Sequence, residues 1–150
     1  MAVGFEFHEV MSGTYTRTHK PDQTGHIRFT ARVRAGDIVR HLKDGMAEID
    51  GTLDMEGFAD DVPISGTIEI RVLFGKLIRY DFSFLGNDGT AYRLAGQKDI
   101  RFTDFASTIT HLGATITDSK GQEVARCQVA FDLRADLLPF LISWKPVLAP

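Results

Sequence analysis

A single cysteine in a chain of 150 residues rules out an internal disulfide. Cys127 therefore points to a reducing compartment and to a fold held by apolar burial alone. No apolar segment approaches membrane-spanning length, so no membrane span is expected. The start, from Met1 to Glu9, has neither the basic end nor the apolar run of a signal peptide, and the cytoplasm is the expected location. Neither sign of charge dominates: 17 basic residues face 20 acidic ones, for a net charge of −3. No basic block would track a phosphate backbone, so no nucleic-acid partner is expected. The most cationic stretch, Arg28 to Arg40, alternates arginine with Phe29, Ala31 and Val33 and reads as the wet face of a strand.

Cofactor and nucleophile motifs are missing too. No Gly-x-Gly-x-x-Gly run follows a strand and opens a helix, so neither flavin nor nicotinamide binding is supported. No Gly-x-Ser-x-Gly elbow is present. The histidines (His8, His19, His26, His41 and His111) show no metal-ligand spacing and no cysteine cluster beside them. No cofactor and no metal are expected.

What the chain does have is alternation. Apolar residues recur at every second position in segments separated by turn chemistry, the signature of half-buried strands. The predicted inward faces are Phe5 to Tyr15, Ile27 to Val33, Ala47 to Met55, Ile64 to Phe74, Ile78 to Phe84, Tyr92 to Phe102, a segment within Phe105 to Thr117, and Ala125 to Leu133. Asn87-Asp88-Gly89 and Asp118-Ser119-Lys120-Gly121 are tight-turn signals between them. Eight consecutive strands with short turns predict one all-β domain over 1–150, an up-and-down antiparallel barrel whose closure removes exposed edges. Two short helices are expected, Asp37 to Leu42 and Asp136 to Trp144, the second with Asp136 as its N-cap.

Two residues break the pattern. Lys98 falls on the inward face between Gly96 and Ile100, and Glu9 on the inward face between Phe7 and Met11. A buried ammonium must find a counter-charge, reach water or lose its proton. In a closed barrel the two residues could meet and hold a polar head group or move a proton; an ion-pair plug is the plainer reading. Tyr15, Tyr80, Tyr92 and Phe82 also face inward, where hydroxyls could orient a ligand oxygen and rings could line a pocket or fill a core. Gly51, Gly66 and Gly96 on inward faces leave room for a cavity, or mark barrel bends. His111 has no settled facing, since Ile109 and Leu112 lie on opposite faces; it is the other candidate base. Cys127 falls among core residues and reads as an inert thiol.

Several short elements occur in a particular order: Phe7-His-Glu9-Val-Met11-Ser-Gly13, Gly51-Thr52, Arg79-Tyr80-Asp-Phe82-Ser-Phe84, Asp88-Gly89, Leu94-Ala-Gly96-Gln-Lys98 and Ser107-Thr108-Ile109-Thr110. A last strand then runs into Asp136-Leu137-Leu138. This series resembles the small β-rich domain that accompanies bacterial glucose-methanol-choline oxidoreductases of the cholesterol-oxidase-like group. The chain departs from that pattern where Phe105 stands in place of a tryptophan and Ser107-Thr108 in place of an acidic pair. The resemblance implies a calycin- or lipocalin-like barrel, accessory to a flavin oxidoreductase, that handles a sterol, terpenoid or fatty acid-like molecule.

Three functions follow as expectations. The first is binding of a small hydrophobic molecule inside the barrel through Lys98, Glu9, Tyr80, Tyr92, Tyr15 and Phe82. The second is a cofactor-independent isomerase or cyclase in the same cavity, with Glu9 or His111 as base and Lys98 or Tyr80 stabilising negative charge. The third is a solid-cored module that docks on a partner through the apolar segment Phe140 to Trp144.

Overall fold

The computed structural model describes residues 2–71, 75–101, 103, 110–131 and 145–149. Its strands run consecutively: β1 (Ala2–Arg17), β2 (Thr24–Ala35), β3 (Met46–Met55), β4 (Ala59–Arg71), β5 (Leu77–Leu85), β6 (Ala91–Asp99), β7 (His111–Thr117), β8 (Glu123–Ala130) and β9 (Lys145–Ala149), with helix α1 (Ile38–Asp44) between β2 and β3. Each of the first seven strands pairs antiparallel with the next, and β1 pairs with both β8 and β2. The sheet thus closes into an eight-stranded antiparallel barrel, as the alternation predicts.

Closure works because the inward faces are apolar in register. Phe7, Met11, Ile27, Phe29, Val33, Ile49, Leu53, Ile68, Phe82, Leu94, Leu112, Ile116 and Val129 are all buried in one continuous core. Outside, opposite charges stand across strands: Arg32 pairs with Asp50 at 2.8 Å and Arg79 with Glu69 at 3.1 Å. Exposed pairs of this kind contribute at most about 1 kcal/mol each, so the interior decides stability.

The two ends of the barrel differ. At one end the connections 18–23, 56–58, 86–90 and 118–122 are short turns. Aromatic rings seal it: Phe58 meets Tyr15 and Tyr92 edge-on, each at 5.5 Å, and Arg17 lies 4.3 Å over the Phe58 ring. The other end carries α1 and is where the strands joined by the longest connections, 100–110 and 131–144, stop.

α1 forms where the acidic start predicts it. Asp37 caps it, its carboxylate accepting from the Val39 and Arg40 amides at 3.0 and 3.2 Å, and Gly45 ends it with a left-handed φ of 72°. It runs to Asp44, two residues beyond the expected end. It is the single helix among the described residues. The second expected helix, Asp136 to Trp144, lies outside the described residues, as do Val72, Phe74, Phe102 and Phe105.

β9 is an element the alternation did not reveal. It adds to the outer edge of β1, with Pro146 opposite Phe5. Proline cannot donate to a ladder and belongs at an edge, which is where β9 sits.

The inward glycines mark close strand approach. A side chain on Gly51 would run into the Thr30 carbonyl oxygen, and one on Gly66 into the Asp81 carbonyl oxygen and the Phe82 backbone. A Cβ on Gly96 would lie 2.6 Å from the Gly113 carbonyl oxygen. These glycines therefore let neighbouring backbones come together in a tightly coiled sheet and do not empty the lumen. Rings fill the space instead, with Phe29 packed edge-on against Phe82 at 5.2 Å and against Tyr80 at 6.2 Å.

Candidate functional site

The barrel brings Glu9, Tyr80 and Lys98 together in its interior. Glu9 is on β1, Tyr80 on β5 and Lys98 on β6; β5 and β6 are adjacent, with Ile78 opposite Lys98 and Gly96 opposite Tyr80. The Tyr80 hydroxyl donates to Glu9 Oε1 at 2.6 Å and accepts from Lys98 Nζ at 3.1 Å. The ammonium also lies 5.1 Å from the centre of the Tyr80 ring, within cation–π range. Glu9 is 8% exposed, Lys98 4% and Tyr80 2%.

This is a buried chain in which a hydroxyl bridges a carboxylate and an ammonium. Desolvation holds the Tyr80 phenol well above its ordinary 10.0, and the Glu9 carboxylate adds to the shift by repelling a phenolate and accepting the phenol's proton. Desolvation also lowers Lys98 below its ordinary 10.5, against the pull of Glu9. Tyr80 is thus fixed as a donor to Glu9, which positions both charged groups.

The two shifts act on stability with opposite sign. Above pH 10 the folded state keeps the Tyr80 proton that the unfolded chain releases, so stability falls as pH rises. For Lys98 the unfolded chain binds the extra proton between the lowered folded value and 10.5, so its contribution rises with pH across that window. Tyrosinate absorbance tests the first part. As pH passes 10.0, fewer than the three tyrosines should ionise in the folded protein, with the last appearing only on unfolding. Tyr80→Phe should remove that last component; removal of one titrating in the ordinary range would refute the assignment.

The other predicted residues are placed elsewhere. Tyr15 and Tyr92 belong to the aromatic seal of the short-turn end; the Tyr15 hydroxyl donates to the Glu56 carbonyl oxygen, and Tyr92 stacks on Phe84 at 5.5 Å. Each lies six residues along its strand from Glu9 or Lys98, about 20 Å at strand spacing. They are removed from the polar chain with packed core between, so one small ligand cannot touch both groups. Phe82 lies in the core against Phe29. His111 is exposed while Leu112 is buried, so the imidazole faces outward and is not placed as a base in the interior. Cys127 is buried, and desolvation raises its thiol to about 11. Among the described residues no cluster could hold a metal ion.

Glu6 was not foreseen. It occupies an outward position on β1 yet is buried, 3.5 Å from His8. Alternation assigns it to solvent, and no local signal marks its cover. α1 presents the opposite surprise: none of its residues is buried, and Ile38, Val39 and Leu42 are exposed. Beneath it a cleft of about 560 Å³ is lined by Arg34, Asp37, His41, Glu48 and Thr67 among others. His41 ties the helix to the rim, with Nδ1 2.8 Å from the Met46 carbonyl oxygen and its ring edge-on to Phe5 at 5.0 Å.

No protein-family model, curated protein or solved structure matches the chain. Nothing in those comparisons links it to glucose-methanol-choline oxidoreductases. No helix among the described residues is long and apolar enough to cross a membrane.

Proposed function

We propose that this protein is a lipocalin-like binding barrel that takes a small, largely apolar molecule at the α1 end, with the ligand's polar group against Glu9, Tyr80 and Lys98. One observation carries the reading: among the described residues, the only buried charges on the inward faces are Glu9 and Lys98, joined through one tyrosine. A barrel built for stability alone gains little from such a pair, because apolar residues of similar volume serve as well or better. The sealed opposite end and the rings of Phe29, Tyr80 and Phe82 set a floor, so the ligand sits toward the α1 end rather than along the whole lumen. Glu9, Tyr80 and Lys98 also form the minimal set for proton transfer, but ligand binding is the step both uses share. The single buried thiol suits the cytoplasm.

Native mass spectrometry of freshly purified protein, with organic extraction of anything bound, tests this. A stoichiometric lipophilic adduct that is lost in Lys98→Met is the expected result. An apo mass, with no uptake from a panel of sterols, terpenoids and long-chain alcohols, would sink it. The exposed Ile38, Val39 and Leu42 of α1 favour a second reading, an interaction module with a flavin oxidoreductase as the partner its motifs suggest. That reading predicts no small-molecule uptake and co-purification with such an enzyme that Leu42→Asp abolishes.

A further inference from the structure

We infer that the outward apolar face of α1 is a self-association surface, on which a second copy of this chain docks antiparallel through its own α1. No ligand in the barrel is involved. The amphipathicity of α1 is inverted. Asp37, Arg40, His41 and Asp44 follow the i, i+3, i+4, i+7 spacing of one helical face, and all four line the cleft beneath the helix. That is the face a surface helix ordinarily makes apolar and buries. The apolar residues of α1 lie on the other side: Ile38 is 42% exposed, Val39 60% and Leu42 75%. Val3 of β1 is 49% exposed as well, next to Gly4, which lies against the Ala35 and Gly36 backbone at the entry to α1.

These apolar side chains do not hold the helix in place. Its caps do, together with the His41 link to the Met46 carbonyl oxygen and the Arg71 guanidinium, which donates to the Asp44 carbonyl oxygen. Water alone favours the reverse arrangement, so the exposed stripe is explained by a partner that covers it.

Charge and size choose that partner. The chain has a net charge of −3, and along α1 and its N-cap Arg40 and Lys43 are offset by Asp37 and Asp44, so nothing here draws the helix to an anionic membrane. A second copy is matched. In a two-fold interface residue i meets j and j meets i. Antiparallel pairing sets Val39 of each helix against Leu42 of the other, and lays the Lys43 end of each against the Asp37 end of the other. Parallel pairing would bring Lys43 to Lys43. A face this short buries less than about 1,200 Å² in total, so the dimer is weak and concentration-dependent.

Sedimentation equilibrium of the full chain, from about 5 µM to about 1 mM, should show reversible dimerisation with a dissociation constant of about 10–500 µM. Leu42→Asp and Val39→Asp, both at exposed positions and checked for folding by circular dichroism, should each weaken it at least about tenfold. Lys43→Glu should weaken it about threefold at low salt and less at high salt. Val39→Cys and Leu42→Cys proteins, mixed and oxidised with diamide, should cross-link to each other ahead of either to itself.

A wild-type protein that stays monomeric across that range would overturn the inference. So would a dimer that Leu42→Asp and Val39→Asp leave intact. A monomer that instead sediments with phosphatidylcholine vesicles, or co-purifies with a different protein, through Leu42 would overturn it too and assign the face to that occupant. Preferential cross-linking of Leu42→Cys to itself would overturn the antiparallel arrangement. None of these outcomes bears on ligand uptake by the barrel.

Discussion

Replacing Glu9 with leucine is expected to destabilise the barrel by about 3–5 kcal/mol, because it removes the buried carboxylate whose charge favours the Lys98 ammonium. The loss should be partly undone by further substitution. In Glu9→Leu/Lys98→Met both charges are gone, and what remains is a buried Tyr80 hydroxyl deprived of both its partners, a deficit of about 1–3 kcal/mol. Adding Tyr80→Phe removes that hydroxyl and should bring stability back close to the wild type. Urea unfolding of the three variants checks the series. A second signature separates lost charge pairing from lost packing: with Glu9 gone, Lys98 can escape its penalty by losing its proton, so the deficit of Glu9→Leu should shrink as pH rises toward 10.5. A deficit independent of pH, or a double variant as unstable as the single one, would mean that the pair is not what holds these strands.

The reason this pair could be found at all is the two-residue period of a strand. A side chain's face follows from its position alone, so an ionisable residue between apolar neighbours at i−2 and i+2 stands out without any knowledge of the fold. That logic placed Lys98 among Leu94, Gly96 and Ile100, and Glu9 between Phe7 and Met11; closure of the barrel then brought them to one tyrosine. Alternation also predicted the eight strands and their order, since short turns leave consecutive strands few options but to pair.

The same period says nothing of height along the barrel axis. Tyr15 and Tyr92 share the inward face with Lys98 but sit at the opposite end, and only the stagger between strands decides which inward residues meet. Nor does it distinguish a cavity from a core. Inward glycines read in the sequence as empty space or as barrel bends, and the backbones beside Gly51, Gly66 and Gly96 occupy that space. His111 shows the limit at a strand's end, where the alternation begins and too few residues remain to set its phase. Glu6 shows a limit of another kind, since burial on an outward face depends on what covers it and not on its own strand.

Whether the lumen is solid turns on Phe29, and Phe29→Ala should therefore carry an effect as large as that of Glu9→Leu. Phe29 is fully buried, stands between Met11 of β1 and Leu53 of β3, and packs on the rings of both Phe82 and Tyr80. Truncating a buried phenylalanine costs about 3–5 kcal/mol when the surroundings cannot collapse into the space, and a closed sheet has little room to do so. Phe29→Leu, which leaves a smaller void, should cost about 1–2 kcal/mol. A loss below about 1 kcal/mol for Phe29→Ala would mean that the ring lines a space that is already open. The lumen would then be open from the α1 end as far as Tyr15 and Tyr92. In the solid case the void is lined by apolar groups, stays dry and accepts small apolar molecules such as benzene. Benzene should therefore raise the urea midpoint of Phe29→Ala and leave that of the wild type where it was.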